Sequence, residues 1–336
     1  MNTSEKNIQP LVSVCVQTYQ HAAFIAQCLD GILLQKVNFP FEIIIGEDES
    51  TDDTRKICLD YAEKYPGKIS LFLRSRKDVV YIHGGPTGRY NFIKNLEAAR
   101  GKYIAICEGD DYWTDENKLQ RQFDFMEANP GYVICFHRIL ELNDDGVLIK
   151  SHSDWNEEKT FTINDLAAQN IIFTPSVFFR NGFIEKLPTW INESPVMDYV
   201  LHMFNARHGL IKYFPEPMAV YRKHGGGLWS TLPQEISHER WVNLLDLLLQ
   251  ENFDKSVKAT LIAQKRHIME KCLLGLMHEK TFPKFLEMLA KFSKADPYIS
   301  EKWLLEYYPK YISGYTSSRS IQATKSVVLA IKKMLK

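Results

Sequence analysis

A layered α/β fold with a mixed, mostly parallel sheet and a helical C-terminal extension is what this sequence predicts, and two observations carry the prediction. Short apolar runs at residues 11–18 (LVSVCVQT), 41–46 (FEIIIG), 69–74 and 103–107 (YIAIC) alternate with segments whose apolar residues recur at helical spacing. Strands and helices alternating at such intervals build βαβ units. Polar clusters follow three of these runs at once, at Gln17–Tyr19, Glu47–Asp48 and Glu108–Asp111. Ligands of such sheets bind beyond the carboxyl ends of the strands, so the three clusters share one candidate edge.

The elements follow in order. After the first strand, Phe24, Ile25, Cys28, Leu29, Ile32 and Leu33 mark a helix over 22–35. The second strand runs into an acidic turn, Glu47 to Asp53, where Ser50, Thr51, Asp52 and Asp53 read as a helix start; Pro66-Gly67 ends that helix near 65. A glycine-containing loop at 83–88 precedes a helix over 90–100 and then the fourth strand. Beyond Phe123 the pattern is mixed, with strands expected at 132–136, 177–180 and 219–221 and a helix at 198–208. From about 234 only helices are expected, which divides the chain into a catalytic-type domain, 1–234, and a helical basic region, 235–336.

Composition narrows the class. With 45% hydrophobic and 24% charged residues in 336, a disordered, collagen-like or coiled-coil chain is excluded. The net charge of zero hides an asymmetry: residues 255–336 hold 16 Lys+Arg against 6 Asp+Glu, so the last quarter carries +10 and the rest −10. A basic tail can serve anionic lipid, nucleic acid or a solvated helical face. Six cysteines show no metal-like or C-x-x-C spacing, which suits buried, reduced thiols. The N-terminus lacks an apolar leader and no stretch reaches ~18 uncharged apolar residues, so a cytoplasmic chain that does not span a membrane is expected.

Glu108-Gly109-Asp110-Asp111 carries the strongest chemical signal. Three carboxylates within four residues at a strand end repel one another unless a cation sits among them, and Mg²⁺ or Mn²⁺ prefers such oxygen ligands together with substrate phosphates. A solvated acidic turn is the plain alternative. Asp48, ending the second strand, can accept hydrogen bonds from a nucleobase imide or a ribose. Tyr19 can stack on a base or cover the sheet edge.

Four stretches make the chain resemble the family 2 glycosyltransferases of the GT-A fold, a Rossmann-like nucleotide-diphospho-sugar transferase architecture, and in particular those of bacterial surface polysaccharides. They are VSVCVQTYQ from Val12, EIIIGEDESTDDT from Glu42, RYNFIKNLEAARGKYIAICEGDDYWTD from Arg89 and YRKHGGGLWS from Tyr221. The family pattern at the second stretch has two aspartates followed by Gly-Ser; here it reads Glu47-Asp48-Glu49-Ser50. The family's metal motif begins with Asp; here Glu108 stands first. Both departures keep a carboxylate.

The resemblance implies roles position by position. Gln17, Tyr19 and Asp48 would hold the nucleoside of a nucleotide-sugar, UDP-linked by preference, and Arg89 would contact the donor. Asp110 would bind Mn²⁺ or Mg²⁺, Glu108 would reach the ribose, and Asp111 would support the metal site or donor sugar. A catalytic base is expected where an acidic residue opens a later helix, at Asp198, with Glu193 and Glu185 as competitors; a helix-start acid stabilised by the dipole is the plain alternative. His224, among cations and glycines, would be a further metal ligand or phosphate contact. Trp113 and Trp229 would wall the sugar or anchor their loops.

The implied reaction is inverting transfer to a hydroxyl of a glycan or lipid-linked acceptor. The competing readings are a binding module that has lost catalysis and a metal-dependent nucleotidyltransferase. The latter needs a phosphate-cradling glycine loop after the first strand, where Thr18-Tyr19-Gln20-His21 has none. The tail's aromatics are not interleaved with its cations, which argues against nucleic acid as partner. Residues 326–336 (SVVLAIKKMLK) are short, amphipathic and basic, consistent with resting on an anionic membrane surface.

Overall fold

The computed structural model describes residues 9–152, 154–182, 187–226, 232–276 and 282–302. Its strands are β1 (Val12–Thr18), β2 (Phe41–Glu47), β3 (Ile69–Leu73), β4 (Tyr81–Ile82), β5 (Gly85–Pro86), β6 (Tyr103–Ile106), β7 (Tyr112–Trp113), β8 (Tyr132–Leu142), β9 (Leu148–Lys150), β10 (Lys159–Phe161), β11 (Phe178–Arg180) and β12 (Leu210–Arg222). The α-helices are α1 (Ile25–Leu33), α2 (Thr54–Lys64), α3 (Arg89–Ala98), α4 (Lys118–Ala128), α5 (Ile163–Ala168), α6 (Asp198–Asn205), α7 (Gln234–Leu249), α8 (Lys255–Gly275), α9 (Phe282–Ala295) and α10 (Pro297–Lys302).

The apolar runs became strands of one sheet, ordered β10-β12-β8-β11-β6-β1-β2-β3, with the run at 69–74 forming its edge strand β3 and the other three lying inside. Every residue of β1, β2 and β6 is buried. Such unbroken burial is what parallel strands covered on both faces require. β1 pairs in parallel with β2 and β6, and β2 with β3. The short β11 runs antiparallel between β6 and β8, after which β8 and β12 pair in parallel again. Of the six apolar residues that marked α1, Ile25, Cys28, Leu29 and Ile32 are buried and join the main core with Val14, Ile43, Ile45, Ala105 and Phe178, while Phe24 and Leu33 are only partly buried.

Two strands run longer than expected. β8 continues past Phe136 through His137 and Arg138, which are buried although polar. β12 begins at Leu210 and carries Pro215 and Pro217 across a register shift between Phe214 and Ala219. Prolines inside a strand are tolerated at such irregularities, which is why only the segment after them looked like a strand.

Helix α3 is fastened to the sheet edge by amides. Asn91 Nδ2 donates to the Gly46 carbonyl at 2.7 Å and Asn95 Nδ2 to the Val16 carbonyl at 2.9 Å, while Arg74 donates to both amide oxygens. A Cβ on Gly46 would lie 1.8 Å from Asn91 Oδ1, so this close approach depends on glycine. All six cysteines are buried and unpaired, and burial raises the thiols of Cys15, Cys107 and Cys135 far above their ordinary value, Cys58 to about 12 and Cys272 to about 11.

The chain divides into two compact units, Met1–Thr231 with Asn252–Val257 and Leu232–Glu251 with Lys258–Lys336. The second unit is helical in its described residues, around Met269, Cys272, Leu273, Phe285, Met288, Leu289 and Phe292. Arg266 pairs with Asp296 and Lys302 with Glu270 at its surface. Among the described residues no helix is long and apolar enough to cross a membrane. Residues 326–336 lie outside those described.

Candidate active site

The carboxyl ends of β1, β2 and β6 converge, as the three polar clusters required. Thr18 is opposite Glu47 in register, Asp48 N donates to the Thr18 carbonyl at 3.1 Å, and Gly109 N to the Gln17 carbonyl at 2.9 Å. The glycine between the carboxylates has a packing reason. A Cβ on Gly109 would sit 2.6 Å from Thr18 Oγ1 and 2.9 Å from His21 Nδ1.

One carboxylate oxygen each from Glu108, Asp110 and Asp111 lie within 4.8 Å of one another. Burial, then Asp110 and Asp198, pushes Glu108 up to about 8. Burial together with its acidic neighbours raises Asp111 well above the usual carboxylate range. Asp110 goes the other way: against the cost of burial, the His224 hydrogen bond and the neighbouring His21 hold it low. His224 Nε2 is 3.1 Å from Asp110 Oδ2, and its Nδ1 accepts from Gly226 N at 3.2 Å, which makes Nε2 the protonated nitrogen. His21 Nε2 lies 3.7 Å from the same oxygen. Asp111 Oδ1 accepts from Arg222 N at 2.9 Å, while its buried Oδ2 has no protein partner. Crowded oxygens, an orphaned carboxylate oxygen and a nearby imidazole suit a hard divalent cation.

Arg222 closes this corner. Its guanidinium donates to the Asp110 carbonyl and to Gln27 Oε1, and it lies over the rings of Phe24 and Tyr112. The end of β12 is thereby tied both to the acidic loop and to α1.

At the β2 end, Glu47 is consumed by structure: it pairs with Arg55 and accepts from Ser50 N at 2.7 Å. Asp48 differs. It is 1% exposed, Arg76 Nη1 donates to its Oδ2 at 2.9 Å, and its buried Oδ1 has no protein partner. Burial raises its carboxyl against the opposing pull of Arg76. The same guanidinium lies 4.0 Å above the Tyr19 ring. Both polar atoms of the Gln17 side chain are likewise buried and unpartnered. Asp52 is structural, its two oxygens accepting from Thr54 N and Ala22 N, so the loops after β1 and β2 are stitched together.

Asp198 opens α6 as expected and stays partly exposed. Burial raises its carboxyl, opposed by the Tyr199 backbone N–H and Arg89, and its charge reaches Glu108 and Tyr221. The structure therefore brings Asp198 to the acidic cluster although 87 residues separate Asp111 from it in the chain. Glu193 is exposed one turn earlier, and Glu185 lies outside the described residues.

Two expectations need correction. Arg89, expected on the donor, is 4% exposed and turned into protein: it donates to the Ser194 carbonyl at 2.6 Å and to Met197 Sδ at 2.9 Å, fastening α3 to the segment that leads into Asp198. Trp113 is no sugar wall. It is 3% exposed within the main core, its indole N–H donates to the Pro175 carbonyl at 2.9 Å, and Lys118 covers its face at 4.0 Å. Trp229 lies outside the described residues. Arg76, His21 and the latch made by Arg222 were not read from the sequence as site residues; each acquires its place only through the tertiary meeting of loops.

The sequence model of the family described as glycosyl transferase family 2 matches residues 13–185. The chain belongs to that family. An uncharacterised protein of Mycobacterium tuberculosis is 36% identical to this family 2 chain over 219 residues, which are 65% of the chain and 60% of that protein's length. Among solved structures, S. aureus TarS 1–349 in complex with UDP-GlcNAc has a TM-score of 0.61 at 18% identity, covering 86% of this chain and 83% of that one. The mannosyltransferase PcManGT from Pyrobaculum calidifontis, in complex with GDP-Man and Mn²⁺, has a TM-score of 0.58 at 17% identity over 96% of this chain and 86% of its own. These structural likenesses establish a shared GT-A-type fold.

Proposed function

We propose that this family 2 chain is an inverting glycosyltransferase, moving a sugar from a UDP-sugar to a hydroxyl of a glycan or lipid-linked acceptor. The observation that carries the reading is the meeting at one sheet edge of a buried acceptor oxygen without a protein partner, Asp48 Oδ1, a three-carboxylate cluster and Asp198. Asp110, with Glu108 and Asp111, would hold Mn²⁺ or Mg²⁺, and His224 would join them on releasing its Nε2 proton. Such an ion supplies positive charge for a leaving diphosphate. The neighbour bound to GDP-Man and Mn²⁺ supports this use of the fold.

The base preference has a geometric argument. Uracil presents one imide N–H beside a carbonyl. Asp48 offers one free oxygen, and the Arg76 guanidinium beside it is a donor. Guanine asks a carboxylate to accept two N–H groups, and Arg76 already holds the second oxygen. Tyr19, beneath Arg76, supplies a flat apolar contact, and Gln17 has both amide atoms free for the nucleoside.

Asp198 takes the acceptor proton as general base. Its raised carboxyl makes it a stronger proton acceptor than an exposed aspartate, and Arg89 holds the segment that carries it. Attack from its side, opposite the departing diphosphate, inverts the anomeric centre and leaves no covalent sugar on the protein.

Heating the protein with nucleotides tests the donor site. UDP with Mn²⁺ or Mg²⁺ is expected to raise the melting temperature, as ~2.7 kcal/mol of added stability at a hundredfold excess over Kd. EDTA should remove the shift. A response confined to guanosine nucleotides would reassign the base, and none with any nucleotide would favour a non-catalytic role.

The charge asymmetry supports a second element of the reading: the basic region beyond 235 brings the catalytic unit to the anionic inner face of a membrane, where a lipid-linked acceptor would lie. Cosedimentation with anionic vesicles, lost in neutral ones, is the expected result; equal sedimentation in both would sink this part alone.

A further inference from the structure

Glu49 stands where the family pattern has glycine, and it keeps a glycine-like backbone: its φ is +59°. A side chain held in the left-handed region costs free energy that the surroundings have to offset. The compensation is visible. Glu49 Oε2 accepts from the backbone N–H of Arg76 at 2.6 Å and from Ser75 Oγ at 3.3 Å. Ser75 Oγ in turn accepts from Lys77 N at 3.3 Å, so the carboxylate pins the whole start of the turn Arg76–Asp78. The hydrogen bond from Arg76 holds the Glu49 carboxyl below its ordinary value, as a charge-assisted bond should.

The opposite rim is built the same way. Gln20, at φ +56°, receives hydrogen bonds on Oε1 from Thr51 N at 2.9 Å and Asp52 N at 3.2 Å, and its own N–H donates to Ser50 Oγ at 2.9 Å. The loops after β1, β2 and β3 thus form a closed ring: Tyr19 to Arg76, Arg76 to Asp48 and Glu49, Ser50 and Thr51 back to Gln20. Asp48 Oδ1, unpaired, belongs to the middle loop of that ring.

We propose that Glu49 is a positioning residue for nucleobase recognition, trading backbone ease for a carboxylate that fixes the Ser75–Arg76 turn and so presents the Arg76 guanidinium beside Asp48. The inference rests on the reading of Asp48 and Tyr19 as the nucleobase end of a donor site. Glu49 touches no ligand in this scheme; it acts through Arg76. It sharpens selectivity as well as affinity, because a donor held beside an acceptor matches the carbonyl and imide N–H of uracil, whereas cytosine presents an amine and a bare ring nitrogen there.

The test uses the full chain, titrated calorimetrically with UDP and with CDP in the presence of Mn²⁺, beside melting temperatures without ligand. Glu49→Gly relaxes the backbone and removes the carboxylate. It is expected to weaken UDP binding about tenfold, the scale of one charge-assisted hydrogen bond, and to lower the UDP-over-CDP preference. Its melting temperature should stay within ~2 °C of the parent protein. Glu49→Gln keeps an acceptor for Arg76 N–H and should recover most of the affinity. A glycine variant that binds UDP as the parent does overturns the inference. A loss of affinity matched by a fall in melting temperature also overturns it, in favour of a purely structural role. An unsubstituted protein that binds none of UDP, CDP or GDP removes the donor-site reading itself, before any variant is made.

Discussion

Asp110→Asn is expected to lower sugar transfer by ~10³-fold or more, the scale of losing preorganised charge at a departing group. Metal-dependent nucleotide binding should disappear with it. The fold should lose a little stability. His224 at 3.1 Å and His21 hold the Asp110 carboxyl below its ordinary value against the cost of burial, so its charge is net favourable in the folded protein, whereas Glu108 and Asp111 are pushed upward. The metal-free melting temperature is therefore expected to fall modestly. Diphosphate release from UDP-sugars and thermal shifts with and without Mn²⁺ check the two halves. A variant that keeps its metal-dependent shift would take Asp110 out of the site.

Asp198→Asn is expected to lower kcat by ~10²–10⁴-fold, the usual contribution of a positioned general base, with the Kd for UDP unchanged. The split between turnover and binding is the informative part. Asp198 opens α6 on the segment that Arg89 anchors, whereas the nucleobase end lies on the loops after β1, β2 and β3. Asparagine preserves size and helix-start geometry while removing the basic oxygen. Glu193→Gln, on an exposed residue of the preceding turn, serves as the control and should leave kcat unaltered. Wild-type turnover by the Asp198 variant would remove it from the mechanism.

The sheet was legible because its inner strands are buried on both faces and so leave unbroken apolar runs: β1, β2 and β6 needed no tertiary information. The acidic loop was legible for a related reason, since carboxylates crowded at a strand end stand out against such a run. Legibility failed where packing reverses a local signal. His137 and Arg138 are polar yet lie inside β8, and Pro215 and Pro217 interrupt a strand that resumes across a register shift. Trp113 shows the converse error. Its place beside the acidic loop suggested a sugar contact, but a strand pairing with Ala219 draws its ring into the core. Arg76 could not be found at all from local sequence; 27 residues separate it from Glu49. The departure at Glu49 was visible in the sequence as an oddity, and only its backbone angle and the two groups it accepts from give it a meaning.

The burial of all six cysteines has a practical consequence for watching this protein move. With every native thiol enclosed, a single cysteine introduced at an exposed position would be the sole group to take a maleimide dye or a nitroxide. Tyr81, 66% exposed on the small β4–β5 ribbon, and Val147, 52% exposed in the turn between β8 and β9, are suitable places. Probes at both together report the distance between them by fluorescence transfer or electron spin resonance without stripping the protein of its own sulfur. Any change in that distance when a nucleotide is added can then be followed in otherwise native protein.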